Sequence, residues 1–288
     1  MDPIKGAPAR PQLQLERGPM LLAYTGLALA AMLFLFPFLW VFSTALKSLA
    51  EATSVPPTVF PREWLWSNFQ LATSKIPFWR QFLNTFNLCL LNVVGTTLSC
   101  SIVAYGFSRI DWPGRDYFFW VTLSTMMIPG AVLMVPLYSM FRELGWVGTT
   151  LPLWVPAFFA SAYNIFLLRQ FFLGIPKSVT EAAEIDGCSE WQIFWRIVLP
   201  LARPALVIVA LFSFMYVWND FMGPLIYLTD ERQFTLALGL QAFQSRLGGA
   251  EINLLMAAAA LVMLPVLILF FIAQRYIIEG ISMSGSKG

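Results

Sequence analysis

The sequence predicts an all-α integral membrane protein with six transmembrane helices, and three observations predict it. Of its 288 residues, 58% are hydrophobic and 12% charged, whereas a soluble domain carries about 25% charged residues. Six apolar stretches are each long enough to cross a bilayer, which takes about 20 helical residues. Between the fourth and fifth of them lies "EAAEIDGCSEWQIFWRIVLP", Glu181 to Pro200, which holds four of the chain's 16 acidic residues. A net charge of +2 offers no nucleic-acid surface. The lack of any histidine removes the commonest metal ligand and the usual general base near neutral pH, which weighs against an enzyme.

The spans fall at 20–46, 82–107, 117–140, 150–173, 204–228 and 253–275, forming one transmembrane domain over 20–275 between tails at 1–19 and 276–288. Lys5, Arg10 and Arg17 precede the first span, and Ala28-Leu29-Ala30 resembles a signal-peptide cleavage site. The apolar run continues to Ala45, too far for a cleaved segment, so it reads as an anchor. The following loop, "SVPPTVFPREWLW", has three prolines that forbid a regular helix. The second span carries Asn84, Asn87, Asn92, Thr96, Thr97, Ser99 and Ser101, and the third and fourth are interrupted by Pro129, Pro136, Pro152 and Pro156. The fifth ends in "WNDFMGPL", with Asp220 inside the span and a Gly223-Pro224 break.

Polar groups and helix breaks at membrane depth are tolerated where they face other helices or water, so they suggest a lined pathway. Asn84, Asn87 and Asp220 are the candidate pathway residues, although interhelical hydrogen bonding is the commoner reason for any single Asn or Ser in a bundle. Cys89 and Cys100 stand too far apart along one helix to bridge, about 16 Å. Both, with Cys188, read as packing residues. Basic residues in both short inner loops favour a cytoplasmic N-terminus, and six spans then leave the C-terminus cytoplasmic too.

The loop from 174 to 203 reads as two helices. Ser178 to Glu181 has the spacing of a capping box, and Gly187 suits a left-handed helix end. Ser189 to Gln192 repeats the box and starts an aromatic second helix, which Pro200 should end. The first helix is thin at Ala182 and Ala183, a shape for lying in a groove of a partner. Its charge balance is wrong for DNA phosphate, and no nucleophile or metal partner accompanies its carboxylates.

"EAAEIDG" followed by "IVLP" resembles the EAA loop of ABC-importer permeases. "AYGFSRIDWPGRD", "PLYSMFRELGWVGT", "FFLGIPKSVTEAAEIDGCS", "WNDFMGPLIYL", "TLALGL" and "FIAQRYIIEGISMSGSKG" are similar to the maltose-G-type permeases of carbohydrate importers, from about residue 20 onward. One departure is Ile252, where such proteins often carry Trp.

The resemblance implies a cytoplasmic coupling helix between spans 4 and 5, with Glu181, Ala182, Ala183, Asp186 and Gly187 as its docking surface, and Leu199 and Pro200 holding the returning chain. It implies a bacterial or archaeal cell membrane, a second homologous permease, two ATP-binding cassette subunits and an extracytoplasmic solute-binding protein. The permease itself binds no cofactor in this scheme, and ATP and Mg belong to the cassette subunits. This chain has no G-x-x-x-x-G-K-[S/T] phosphate loop of its own. The tail "GISMSGSKG" would also reach the cassettes, and "SRLGGAEIN" with the Pro-rich loop would face the binding protein.

Sugar import is the expected function. A polyol, a glycosylated osmolyte or a glycerol phosphate ester is the alternative within the same branch. A phosphorylated solute would need cations along its path, and Arg169 is the single candidate well inside a span unless it snorkels. A secondary transporter using Asp220 is the alternative of a different class, and it has no reason to carry an EAA loop.

Overall fold

The computed structural model describes residues 17–246 and 251–285, and among them every regular element is helical. Helix α1, Arg17–Ala45, has no buried residue in its apolar window and lies along the last helix of the chain. Two short helices follow, α2 (Leu49–Ala52) and α3 (Ser67–Lys75), and the Pro-rich stretch between them is not helical. Asn68 ties this region to the end of α1, donating to the Ala45 and Lys47 carbonyls at 2.8 Å each.

Helix α4, Phe78–Ser108, is the hub. Its buried polar residues are satisfied partly within the helix, since Thr85 donates to the Gln81 carbonyl and Asn92 to the Leu88 carbonyl, both at 2.9 Å. That is how a sequence rich in Asn, Ser and Thr remains helical in an apolar setting.

The expected third span is not straight. Helix α5 (Arg115–Ser124) with its terminal 3₁₀ turn and helix α6 (Gly130–Glu143) meet at 98°. Pro129 is the cause: the proline ring pushes Ile128 out of the helical region to φ −82°, ψ 115°. The fourth span, Leu151–Gly174, is also interrupted. It comprises α7 (Leu151–Trp154), a 3₁₀ stretch at Val155–Phe159 containing Pro156, and α8 (Ala162–Gly174), with Ala160 at φ 63° between the last two.

The loop after α8 holds α9 (Lys177–Ile185), α10 (Glu190–Ile193), a π-turn at Phe194–Val198 and α11 (Leu199–Leu201). Then come α12 (Arg203–Trp218), α13 (Met222–Tyr227), α14 (Leu236–Arg246) and α15 (Ile252–Gly285). Helix α12 stops at Trp218, short of the expected 228, where the Asn219 side chain takes the Met215 carbonyl at 2.7 Å and competes with the backbone ladder. Among the described residues four helices are long and apolar enough to span a membrane, or up to six spans if each bent pair counts as one.

Two apolar cores sit at opposite ends of the bundle. One joins the end of α1, the starts of α4 and α15 and the end of α12, through Ala45, Phe78, Trp218 and Leu254. The other joins the ends of α4 and α8 to the loop that follows, through Tyr105, Phe172, Ala183, Phe194 and Val198. The chain ends meeting in each core are those that spans of alternating direction bring together.

Candidate functional site

The loop between the fourth and fifth spans has a built geometry. Helix α9 begins at Lys177, directly after Pro176, so Ser178 lies inside the helix and the expected capping box at Ser178–Glu181 does not form. Its C-terminus is closed by two bonds, Gly187 N–H to the Glu184 carbonyl at 3.0 Å and Cys188 N–H to the Ala183 carbonyl at 2.9 Å. This is a Schellman closure, and it requires the left-handed backbone that Gly187 supplies at φ 80°. The second box is present: Ser189 caps α10, with Gln192 accepting from the Ser189 amide at 2.8 Å.

Glu181, Ala182, Glu184, Ile185, Asp186 and Gly187 are exposed. Ala183 is not. At 6% exposure it packs into the core of Phe172, Ile193 and Phe194, so it forms the underside of α9. Its small side chain lets α9 sit low on the bundle. In its place the outward face presents Ile185, which is 87% exposed and which motif reading passed over.

The returning chain does not stop at Pro200 as expected, because a π-turn precedes it. The widened Phe194–Val198 turn accommodates the carbonyl that the proline cannot pair, so helix continues to Leu201 before the 78° bend into α12. Leu199 is half-buried against the same core, while Pro200 is exposed.

The ends of α4 and α8 are locked reciprocally. Arg109, just past α4, donates to the Phe172 and Ile175 carbonyls at the end of α8. Arg169 of α8 donates to the Phe107 carbonyl at 3.0 Å, lies 4.0 Å from the centre of the Phe119 ring and pairs with Asp116 at 3.6 Å. Arg169 is thus spent on packing between α4, α5 and α8.

A cleft of about 800 Å³ opens on the other side of α4, between α6, the break before α8, α12 and α13. Its polar wall is Asn92, Thr96, Ser161, Asn164, Ser213 and Asp220. Asn92 bridges to the Leu153 carbonyl at 2.9 Å, Ser213 donates to the Thr96 hydroxyl at 3.4 Å, and Asn164 donates to the Ser161 hydroxyl at 2.8 Å. The Asn164 carbonyl oxygen has no protein partner. Asp220 accepts from the Gly223 amide at 3.0 Å, closing the turn between α12 and α13. Tyr163, Tyr216 and Tyr227 add aromatic faces, and among the described residues Asp220 is the one charged residue in the wall. Among the described residues no cluster of His, Cys, Asp or Glu is placed to hold a metal ion.

Of the three candidate pathway residues, Asp220 lines the cleft. Asn84 instead donates to the Arg232 and Phe234 carbonyls at 2.9 and 3.0 Å, holding the segment before α14, and Asn87 is exposed outside the cleft wall. Asn92 and Thr96 stand in the wall where Asn84 and Asn87 had been expected. Their i, i+4 spacing on the second span was the available signal. The loop residues 247–250 and the tail residues 286–288 lie outside the described residues.

Residues 95–283 match the family described as binding-protein-dependent transport system inner membrane component. The chain is 34% identical over 266 residues to the arabinooligosaccharides transport system permease protein AraQ of Halalkalibacterium halodurans, covering 91% of this chain and 95% of that one. It is 30% identical over 277 residues to the sn-glycerol-3-phosphate transport system permease protein UgpE of Yersinia pestis, covering 92% and 97%. In structure it is similar to a chain of a bacterial ABC transporter involved in the import of the acidic polysaccharide alginate, with a TM-score of 0.78, 25% identity, and coverage of 94% and 99%.

Proposed function

The chain belongs to the family of binding-protein-dependent transport system inner membrane components, and from that premise we propose that it is the permease subunit of an ATP-driven importer of neutral oligosaccharides. The family makes it a multi-pass membrane transport component. The observation that carries the finer reading is the cleft. Its wall offers amides, hydroxyls and three tyrosine rings, groups suited to sugar hydroxyls and sugar faces, with one carboxylate and no lysine or arginine among the lining residues. A phosphate ester or a polyuronate would meet only Asp220 as a charge, and like charge disfavours it.

In this reading the bundle has cytoplasmic termini and pairs with a second permease, and an extracytoplasmic binding protein delivers solute to the cleft. Two cassette subunits, which carry ATP and Mg, receive α9 in a surface groove. The firmly closed α9, with Ile185 as a knob among Glu181, Ala182 and Asp186, is the shape such a groove needs. Leu199 in the loop core and Pro200 at the bend carry the displacement into α12. Closure of the cassettes on ATP drives transport only to the extent that it binds one state of the bundle better than the other. The tail at 280–288 and the segment around 245–253 would add contacts to the cassettes and the binding protein respectively.

The test is gentle purification of the tagged chain from its native host with its bound partners, followed by uptake into vesicles. Labelled arabinotriose, diacetylchitobiose, glycerol phosphate and trigalacturonate form the panel. Co-purification of an ATPase and a second permease, with ATP-dependent uptake of a neutral sugar, is the expected result. Uptake of an anion overturns the solute class, and uptake by the chain alone without ATP overturns the importer reading.

A further inference from the structure

We infer that the last turn of α4 is a two-point clamp on the loop containing α9, with Tyr105 and Arg109 as positioning residues that tie movement of that loop to the wall of the cleft. The inference rests on the importer reading above, in which that loop receives motion from the ATPase subunits.

Tyr105 and Arg109 are four residues apart, so they project from one face of α4. Arg109 reaches the chain just before α9, holding the Phe172 and Ile175 carbonyls, and Pro176 follows at once. Tyr105 reaches the chain just after α9, its hydroxyl donating to the Glu190 carboxylate at 2.5 Å in the first turn of α10. Both ends of the nine-residue helix are therefore held by one turn of one span. Tyr105 is 6% exposed and its ring lies 5.1 Å from that of Phe194, which is itself 2% exposed, so the hydroxyl cannot swing away without opening the core. A hydrogen bond to a carboxylate in such a setting is stronger than a neutral one.

The clamp matters because of where α4 leads. Nine residues above Tyr105 is Thr96, and one turn further is Asn92, both in the cleft wall. Helix α4 is continuous from Phe78 to Ser108, without proline, so a push on its last turn moves the wall as a rigid body. The other route, through α10 and α11 into α12, crosses a π-turn and a 78° bend and is softer.

The test uses the complete complex purified with its partners and reconstituted in vesicles, in a Cys188→Ser background with Leu133→Cys as a reporter on the α6 wall of the cleft. The readouts are ATP hydrolysis and the rate at which a membrane-impermeant maleimide labels the reporter, with and without Mg-ATP and vanadate. With Tyr105 present, trapping is expected to change the labelling rate. In Tyr105→Phe that change should shrink about tenfold, as loss of one charge-assisted bond predicts, while hydrolysis and co-purification of the subunits persist. With Tyr105 present, Glu190→Gln, which keeps an acceptor oxygen, should retain most of the response, Glu190→Ala should match Tyr105→Phe, and Tyr105→Phe with Glu190→Ala should do no worse than either. A full labelling response in Tyr105→Phe overturns the clamp and leaves the importer reading intact. No trapping response with Tyr105 present, or no ATPase in the complex, overturns both.

Discussion

Gly95 of α4 and Phe158 in the broken fourth span approach so closely that a Cβ on Gly95 would lie 2.7 Å from the phenyl ring. The ring sits in the 3₁₀ stretch that contains Pro156, so this contact sets how near the break can come to α4 and thereby one edge of the cleft. Gly95→Ala is expected to destabilise the purified protein by about 1–3 kcal/mol, the usual range for overpacking. Thermal unfolding in detergent measures it. Adding Phe158→Leu should recover most of the loss, and failure of that rescue would falsify the packing account.

At Gly187 the cost is in the backbone alone. Its φ is 80° and a Cβ there would meet nothing within 4 Å, so Gly187→Ala should cost about 1–2 kcal/mol of local stability through left-handed strain. Gly187→Asn should cost less, since Asn tolerates that region. Gly187→Pro forbids the conformation and removes the amide bond to Glu184 as well. The expected order of ATPase co-purified per permease is Gly, then Asn, then Ala, then Pro, read by quantitative mass spectrometry.

Much of this was legible in the chain because proline and glycine act locally. Pro129 broke the third span, Gly187 closed α9, and Ser189 with Gln192 capped α10, each as its spacing implied. What was not legible depends on which way a helix is turned. Ala182 and Ala183 are identical in sequence terms, yet one is exposed and the other buried, and only the position of the core behind α9 decides between them. The same holds along α4, where Asn84 holds a neighbouring segment while Asn92 faces the cleft. Pro200 misled for another reason: a π-turn is a tertiary accommodation with no residue signature of its own.

The paired arginines give a stability prediction with internal controls. Arg109 holds the carbonyl end of α8 and Arg169 holds that of α4. Arg109→Ala and Arg169→Ala should each lower stability by about 1.5–3 kcal/mol, the range for hydrogen bonds from a charged group. Arg109 makes both bonds from the single nitrogen Nη2, which a lysine ammonium can imitate, whereas lysine cannot stack flat on Phe119, so Arg109→Lys should rescue more than Arg169→Lys. Because both bonds join the same two helix ends, the double Ala variant should lose less than the sum of the two, and a double-mutant cycle by thermal unfolding checks that.

The three cysteines supply a probe of the loop without any mutation of its docking face. Cys89 and Cys100 are fully buried at 0% exposure, whereas Cys188, next to Gly187, is partly exposed. N-ethylmaleimide should therefore modify one thiol per folded chain, and Cys188→Ser should abolish the reaction. If α9 docks on an ATPase subunit, the residue just beyond its C-terminus is covered, and labelling in the assembled complex should slow at least severalfold relative to the chain stripped of its partners. Adding back the ATPase should restore the protection. Equal rates in the two preparations would show that this end of α9 stays open to solvent, and the docking face would then have to lie toward Glu181 at the other end of the helix.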